Sequence, residues 1–305
     1  MIWISPKKLF GKRELLSLES VLKTHPHGCG IILSRVMDSK RGRAMLEPLV
    51  RLGYRVCVVA PYFRLLFTNT PAQGWLERLE VGLVDPGEIP ITQNLSNLLR
   101  LVVLYKYGGV YLDTDVIIIK DISNLKNSIG IQTVETKPMN QTTLNNAVLI
   151  FDKQHPMLLK FMEEFNSSFN GNIWGFNGPY LVTRVVLRHV NDTKIKINIL
   201  PHMAFYPVDW TLIDEYFWKY EDEDEIKWSK EELNKVIEKS YGVHLWNKIT
   251  HTLKIENGSI LEFVIDVQLS TSPEADLGGE ARRPSLATKE RCHNSPNVVT
   301  KADCC

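Results

Sequence analysis

Residues Asn94–Ile119 read NLSNLLRLVVLYKYGGVYLDTDVIII, and this stretch decides the fold. Leu95, Leu98, Leu99, Val102 and Tyr105 recur at helical spacing, so Asn94–Tyr107 is expected to be a helix with one apolar stripe. Gly108-Gly109 should end it, because glycine enters positive φ without steric cost. Val110–Leu112 is then a short strand that delivers Asp113-Thr114-Asp115 to a loop. In extended chain, residues i and i+2 point the same way. Two carboxylates on one face are costly without a cation between them, and together they offer hard oxygen ligands to Mn²⁺ or Mg²⁺. A bare triplet of this kind also suits a solvated strand end; the helix, the glycine pair and the strand around it favour a site.

Upstream, Met1–Ser5 is a short apolar run and Arg13–Lys23 carries leucines at helical spacing. Gly30–Ser34 reads as a strand, Arg43–Leu52 as a helix and Tyr54–Ala60 as a further strand. This βαβαβ rhythm argues for an α/β fold with a parallel sheet covered by helices. Pro71–Leu79 reads as another helix and Asp85–Pro90 as a turn. Downstream, a strand is expected at Asn146–Phe151, helices at Met157–Phe169 and Leu181–His189, and strands at Lys196–Leu200 and within Ser240–Lys248. The acidic run Glu221–Glu225 reads as a solvated loop. From about Gln268 the chain turns polar, with prolines and glycines and no apolar period. That divides it into one domain, 1–267, and a disordered or aberrant tail, 268–305.

Several side chains stand out beside the aspartates. Asn97 and Arg100 are three apart and share a face away from the leucine stripe, where an arginine can meet a phosphate or ribose, or merely solvent. Strand alternation puts His244 and Trp246 opposite Val243 and Leu245, and a neutral imidazole is a common third metal ligand as well as a common structural residue. The loop Trp174–Pro179, WGFNGP, combines an aromatic, glycines and an amide, which suits close approach to a sugar and equally a rigid turn.

Other chemistries are excluded or disfavoured. Lys and Arg number 36 against 35 Asp and Glu, which is not the basic excess of a nucleic-acid binder. Leu98–Ile119 is interrupted by charges and glycines, so no membrane span is expected, and the N-terminal residues do not have the order of a signal peptide. No CxxC, GxSxG, P-loop or GxGxxG is present. A phosphatase with a nucleophilic first aspartate would place it near the start of its domain, with Thr or Val two residues after the second. Here more than 100 residues precede Asp113, and Ile117 holds that later position. Five Asn-x-Ser/Thr sequons, at Asn94, Asn140, Asn166, Asn191 and Asn257, favour a secretory route if they are used.

NLSNLLRLVVLYKYGGVYLDTD is followed in order by LNNAVLIFDKQHP, WGFNGPYLVTRV, LPHMAFYPVDW and YGVHLWNK. Over Met1 to Val267 this combination resembles the α1,4-glycosyltransferases with a DXD sugar-binding signature, plant members in particular. The resemblance implies a GT-A-type, Rossmann-like nucleotide-sugar-binding fold with a mostly parallel central sheet. It implies transfer of a hexose or N-acetylhexosamine from a UDP-sugar to a glycan or glycolipid acceptor, in α1,4 linkage with retention, with Mn²⁺ or alternatively Mg²⁺, in the Golgi lumen. Carried over by position, Asp113, Asp115 and His244 would hold the metal. Asn97, Arg100, Tyr111, Asp113, Asn145, Asn146 and Gly178 would face the donor, and Asp113, Asp115, Asn146 and Asn177 would form the catalytic group. Members of the family usually carry an N-terminal anchor, which this chain is not expected to have, and read WGH where this chain has Phe176. Phe176 and the unusual C-terminal tail motivate the second reading, a catalytically impaired nucleotide-sugar-binding remnant of the same family.

Overall fold

Two parallel strands open the chain in the computed structural model, which describes residues 1–6, 9–134 and 142–270. Helix α1 (Lys12–Thr24), β1 (Cys29–Leu33), α2 (Lys40–Arg51) and β2 (Arg55–Val59) reproduce the alternation read from the sequence. β1 pairs with β2 in parallel, and the N-terminal run adds a single parallel bridge, Ile2 to Leu33. α3 (Phe63–Phe67), α4 (Pro71–Glu80) and α5 (Ile91–Tyr107) follow. Gly108 and Gly109 end α5 with φ of 70° and 99°, and β3 (Gly109–Leu112) leaves at once.

Next come β4 (Val116–Ile118), β5 (Ser128–Val134), β6 (Thr142–Phe151), α6 (Pro156–Ser168), α7 (Pro179–His189) and β7 (Asn198–Leu200). Two short 3₁₀ turns lead to α8 (Glu223–Lys239), β8 (Gly242–His244), α9 (Asn247–Thr250) and α10 (Ile260–Ser270). The domain boundary read at 267/268 falls inside α10; the remainder of the expected tail, 271–305, lies outside the described residues.

The central sheet has the order β3-β6-β5-β7. It is mixed, not mostly parallel: β6 runs antiparallel to both β3 and β5, and only β5 and β7 are parallel. The reason lies in the connections. No helix intervenes between β3 and β6 among the described residues, and neighbouring strands joined without a crossover helix pair antiparallel. α6 and α7 stand between β6 and β7, which gives the chain room to return parallel to β5. β4 and β8 form a separate antiparallel pair.

The acidic run expected as a loop instead starts α8. Asp222 caps it, its carboxylate accepting from the backbone N–H groups of Asp224 (2.9 Å) and Glu225 (3.3 Å). Acidic side chains in a first turn also suit the positive end of the helix dipole.

The largest core lies between the sheet and α4, α5, α6 and α7. Leu98, Leu99 and Val102 of α5 pack with Phe161 and Phe165 of α6, and Trp75 of α4 meets Phe165 edge-on at 5.2 Å. Each such side chain contributes about 1.5–3 kcal/mol on burial. α5 is buried nearly all round, because Asn94, Asn97 and Arg100 on its polar side are buried as well.

Two loops clasp beside this core. Ile89 N donates to Gly171 O (2.8 Å) and Glu88 N to Asn172 Oδ1 (3.0 Å). A Cβ on Gly171 would fall 1.8 Å from the Pro86 carbonyl oxygen. Gly171→Ala is therefore expected to cost about 1–3 kcal/mol through overpacking, read as a lower urea midpoint at unchanged m-value.

Candidate active site

Asp113 and Asp115 lie in the turn between β3 and β4, not within a strand. The turn joins two sheets. Asp113 N donates to Ala147 O (2.8 Å), which extends the β3–β6 ladder by one bond. Asp115 belongs to the other side: Leu245 N donates to its carbonyl at 2.8 Å, and the next residue, Val116, pairs with His244 across β4–β8. α1 fixes β4 from behind, since Ser17 Oγ donates to Val116 O (2.7 Å) and Ile118 N donates to Ser20 Oγ (2.9 Å).

Arg100 reaches this turn from α5 and is only 2% exposed. Its guanidinium pairs with Asp113 at 3.2 Å, donates to Asn146 O at 2.7 Å and lies 4.4 Å above the centre of the Tyr111 ring. Tyr111 in turn donates its hydroxyl hydrogen to Asp113 Oδ1. Burial pulls the Arg100 pKa down most strongly, but the charge and hydrogen bond of Asp113 together with Tyr111 and Tyr206 outweigh it and hold the guanidinium above its ordinary value. Burial pushes the Tyr111 hydroxyl well up, only partly offset by Arg100, so it stays a neutral donor.

On the far side, Asn247 N donates to Asp115 Oδ2 (2.8 Å). His244 Nε2 lies 3.5 Å from Asp115 Oδ1, and the imidazole packs edge-on against Trp246 at 4.4 Å. Asn247 is itself held by α1: its amide donates to Glu14 Oε1 (3.2 Å) and accepts from Arg13 Nη1 (3.2 Å).

Asp113, Asp115 and His244 each offer a ligand atom within 4.8 Å of the others. His244 Nδ1 is buried without a hydrogen-bond partner, and Asp115, 9% exposed, has no lysine or arginine ion pair among the described residues. Two carboxylates and an imidazole with an orphaned buried nitrogen fit a divalent cation.

The other expected residues form a linked amide layer. Asn146 Nδ2 donates to Asn97 Oδ1 (3.1 Å), and a Cβ on Gly178 would meet the Asn97 amide at 3.1 Å. Asn177 is buried, donating to Asn94 Oδ1 (2.9 Å) and Asn170 O (2.6 Å). Asn145 Nδ2 donates to Gln132 Oε1 (2.8 Å), beside irregularities in the β5–β6 register at Ile129/Gly130 and Ile131/Thr133. Such bulges re-aim side chains next to sites. Phe176 lies under Arg184, whose guanidinium is 4.3 Å from its ring centre.

Sequence reasoning gave no role to Ser17, Ser20, Gln132 or Asn247. The last acts through a backbone N–H, which no residue pattern announces. Trp246 also departs from the strand expected there: it takes a left-handed conformation, φ 53° and ψ 50°, that ends β8 and starts α9.

The family described as "Glycosyltransferase sugar-binding region containing DXD motif" matches residues 11–135, and "Alpha 1,4-glycosyltransferase conserved region" matches 150–267. Lactosylceramide 4-alpha-galactosyltransferase of Mus musculus is 30% identical over 83% of this chain and 67% of its own length. An uncharacterized protein of Arabidopsis thaliana is 31% identical over 87% of this chain but only 40% of that protein. Alpha-1,4-N-acetylglucosaminyltransferase of Homo sapiens is 28% identical over 60% of this chain and 49% of its own length. The chain belongs to this DXD-containing α1,4-glycosyltransferase family.

The two aspartates should differ in folding energetics. Asp113→Asn leaves the buried Arg100 charge unpaired and is expected to cost about 3–5 kcal/mol. Asp115→Asn keeps an acceptor for Asn247 N and is expected to cost about 0.5–1.5 kcal/mol. Urea unfolding of both variants in EDTA checks the contrast.

Proposed function

We propose that the chain transfers a hexose or N-acetylhexosamine from a UDP-sugar to a glycan or glycolipid acceptor, in α1,4 linkage and with retention. The gathering of Asp113, Asp115 and His244 within 4.8 Å carries this reading. Residues 1–267 would act as one catalytic unit with a GT-A-type fold, working in the Golgi lumen. A bound Mn²⁺, or Mg²⁺, would act as a Lewis acid for the diphosphate leaving group, with Asp113, Asp115 and His244 as its protein ligands.

The chain's own groups divide the remaining work. Arg100 is spent on Asp113 and Asn146 O, so it acts on the donor by orienting Asp113 and not by gripping a phosphate. Tyr111 holds the other side of that carboxylate. Asn145 and Asn146 would line the donor sugar, backed by Gln132 and Asn97. Asn177 and Gly178 would shape the donor–acceptor junction, with Asn94 fixing the Asn177 amide. Glycine at 178 leaves Asn97 the room a Cβ would take.

The test is UDP release from UDP-galactose and UDP-N-acetylglucosamine, with Mn²⁺ or EDTA. Turnover should require the metal and fall about 100-fold or more in Asp115→Ala, beyond the 10–100-fold typical of groups outside the ligand set. Undiminished turnover in EDTA or in Asp115→Ala would overturn the metal site. A folded chain with no turnover on any donor would leave the impaired binder.

A further inference from the structure

The five sequons are unequal in the folded chain. Asn140 lies outside the described residues. Asn94 sits inside α5 at 3% exposure, its carbonyl oxygen accepts from Asn177, and its Nδ2 is buried. That nitrogen is the atom a glycan would bond to, and there is no space around it for a sugar. Asn166 is half-buried in the last turn of α6. Arg78 of α4 donates to its side-chain oxygen (3.0 Å) and to its backbone carbonyl (2.7 Å). A Cβ on Gly74 of α4 would lie 3.9 Å from the Asn166 Nδ2, so a glycan there would wedge between two core helices.

The other two are different. Asn191, Asp192 and Thr193 are all exposed, in the turn that follows α7. Asn257 is exposed in the turn before α10, but the third residue of its sequon is not: Ser259 is fully buried and its Oγ accepts from Glu262 N at 3.2 Å. The Asn191 sequon stays open after folding, whereas the Asn257 sequon can be read only before α10 docks.

We propose that Asn191 and Asn257 carry N-linked glycans and that Asn94 and Asn166 remain unmodified in the folded protein. This rests on the secretory placement proposed above. The donor is an oligosaccharide on a polyprenyl diphosphate, delivered by the cell's own transferase. The asparagine Nδ2 forms a bond to the anomeric carbon, the carbon–oxygen bond to the diphosphate breaks, the polyprenyl diphosphate leaves, and one amide proton is lost to a base of that transferase. The structure adds a timing: Asn257 is modified only during synthesis, Asn191 during or after it.

The full chain, behind a cleavable signal sequence, is expressed in insect cells. The folded monomer is treated with peptide N-glycosidase in heavy-oxygen water, and peptides are mapped by mass spectrometry. Label is expected at Asn191 and Asn257 and absent at Asn94 and Asn166, and Asn191→Gln and Asn257→Gln should each remove one glycan step on a gel. A second measurement translates the chain into microsomes, which reads Asn191 and Asn257 whether or not the protein is exported. Absence of label at Asn191 or at Asn257 in both systems, or label at Asn94 or Asn166 in folded monomer, overturns the proposal. Because glycan mapping needs no sugar-transfer activity, its outcome is separate from that of the turnover assay.

Discussion

The pairing of buried Arg100 with half-buried Asp113 is the interaction on which the rest of the site depends. One guanidinium joins three elements: its own helix α5, the turn after β3, and the Asn146 carbonyl on β6. Taking such a pair out of water costs about as much as the attraction returns. Its contribution is therefore positional. The Asp113 carboxylate is held between the guanidinium and the Tyr111 hydroxyl, while 29% of its side-chain surface stays open toward the site. Arginine's planar fork suits this better than lysine, because several bonds are made at once in fixed directions.

The site also depends on a seam. Asp113 continues the ladder of the four-stranded sheet, and Asp115 with His244 belongs to the β4–β8 pair. Two residues of one short turn are thus governed by two different sheets, and α1 braces the second through Ser17, Ser20, Arg13 and Glu14. The chain that supplies the brace is about a hundred residues upstream of the aspartates, so the geometry of the Asp113–Asp115 turn and global folding are one problem in this protein.

Much of the fold was legible. α5 and its glycine stop, the β1–α2–β2 alternation and the helices α6 and α7 followed from apolar spacing and from glycine and proline placement. Three readings failed for identifiable reasons. Local charge at Glu221–Glu225 looked like solvent-facing loop, yet a capping aspartate and an acidic first turn are what a helix start prefers. The sheet was read from the parallel N-terminal rhythm, but its central strands come from a stretch without crossover helices. For Asn97 and Arg100 it was the solvent-facing alternative that failed, since both side chains are buried against β6.

The sequence by itself determined which chemistry is carried: two aspartates two residues apart after Gly-Gly, a histidine on a late strand, and the amides of the blocks around them. These depend on residue type and on local backbone preference, which neighbours along the chain express. Only the tertiary structure decided that His244 meets Asp115, that Arg100 serves Asp113, and that Asn94 is walled in while Asn191 is open. Those outcomes rest on contacts between residues far apart in the chain, and on how much water each polar group loses when they form.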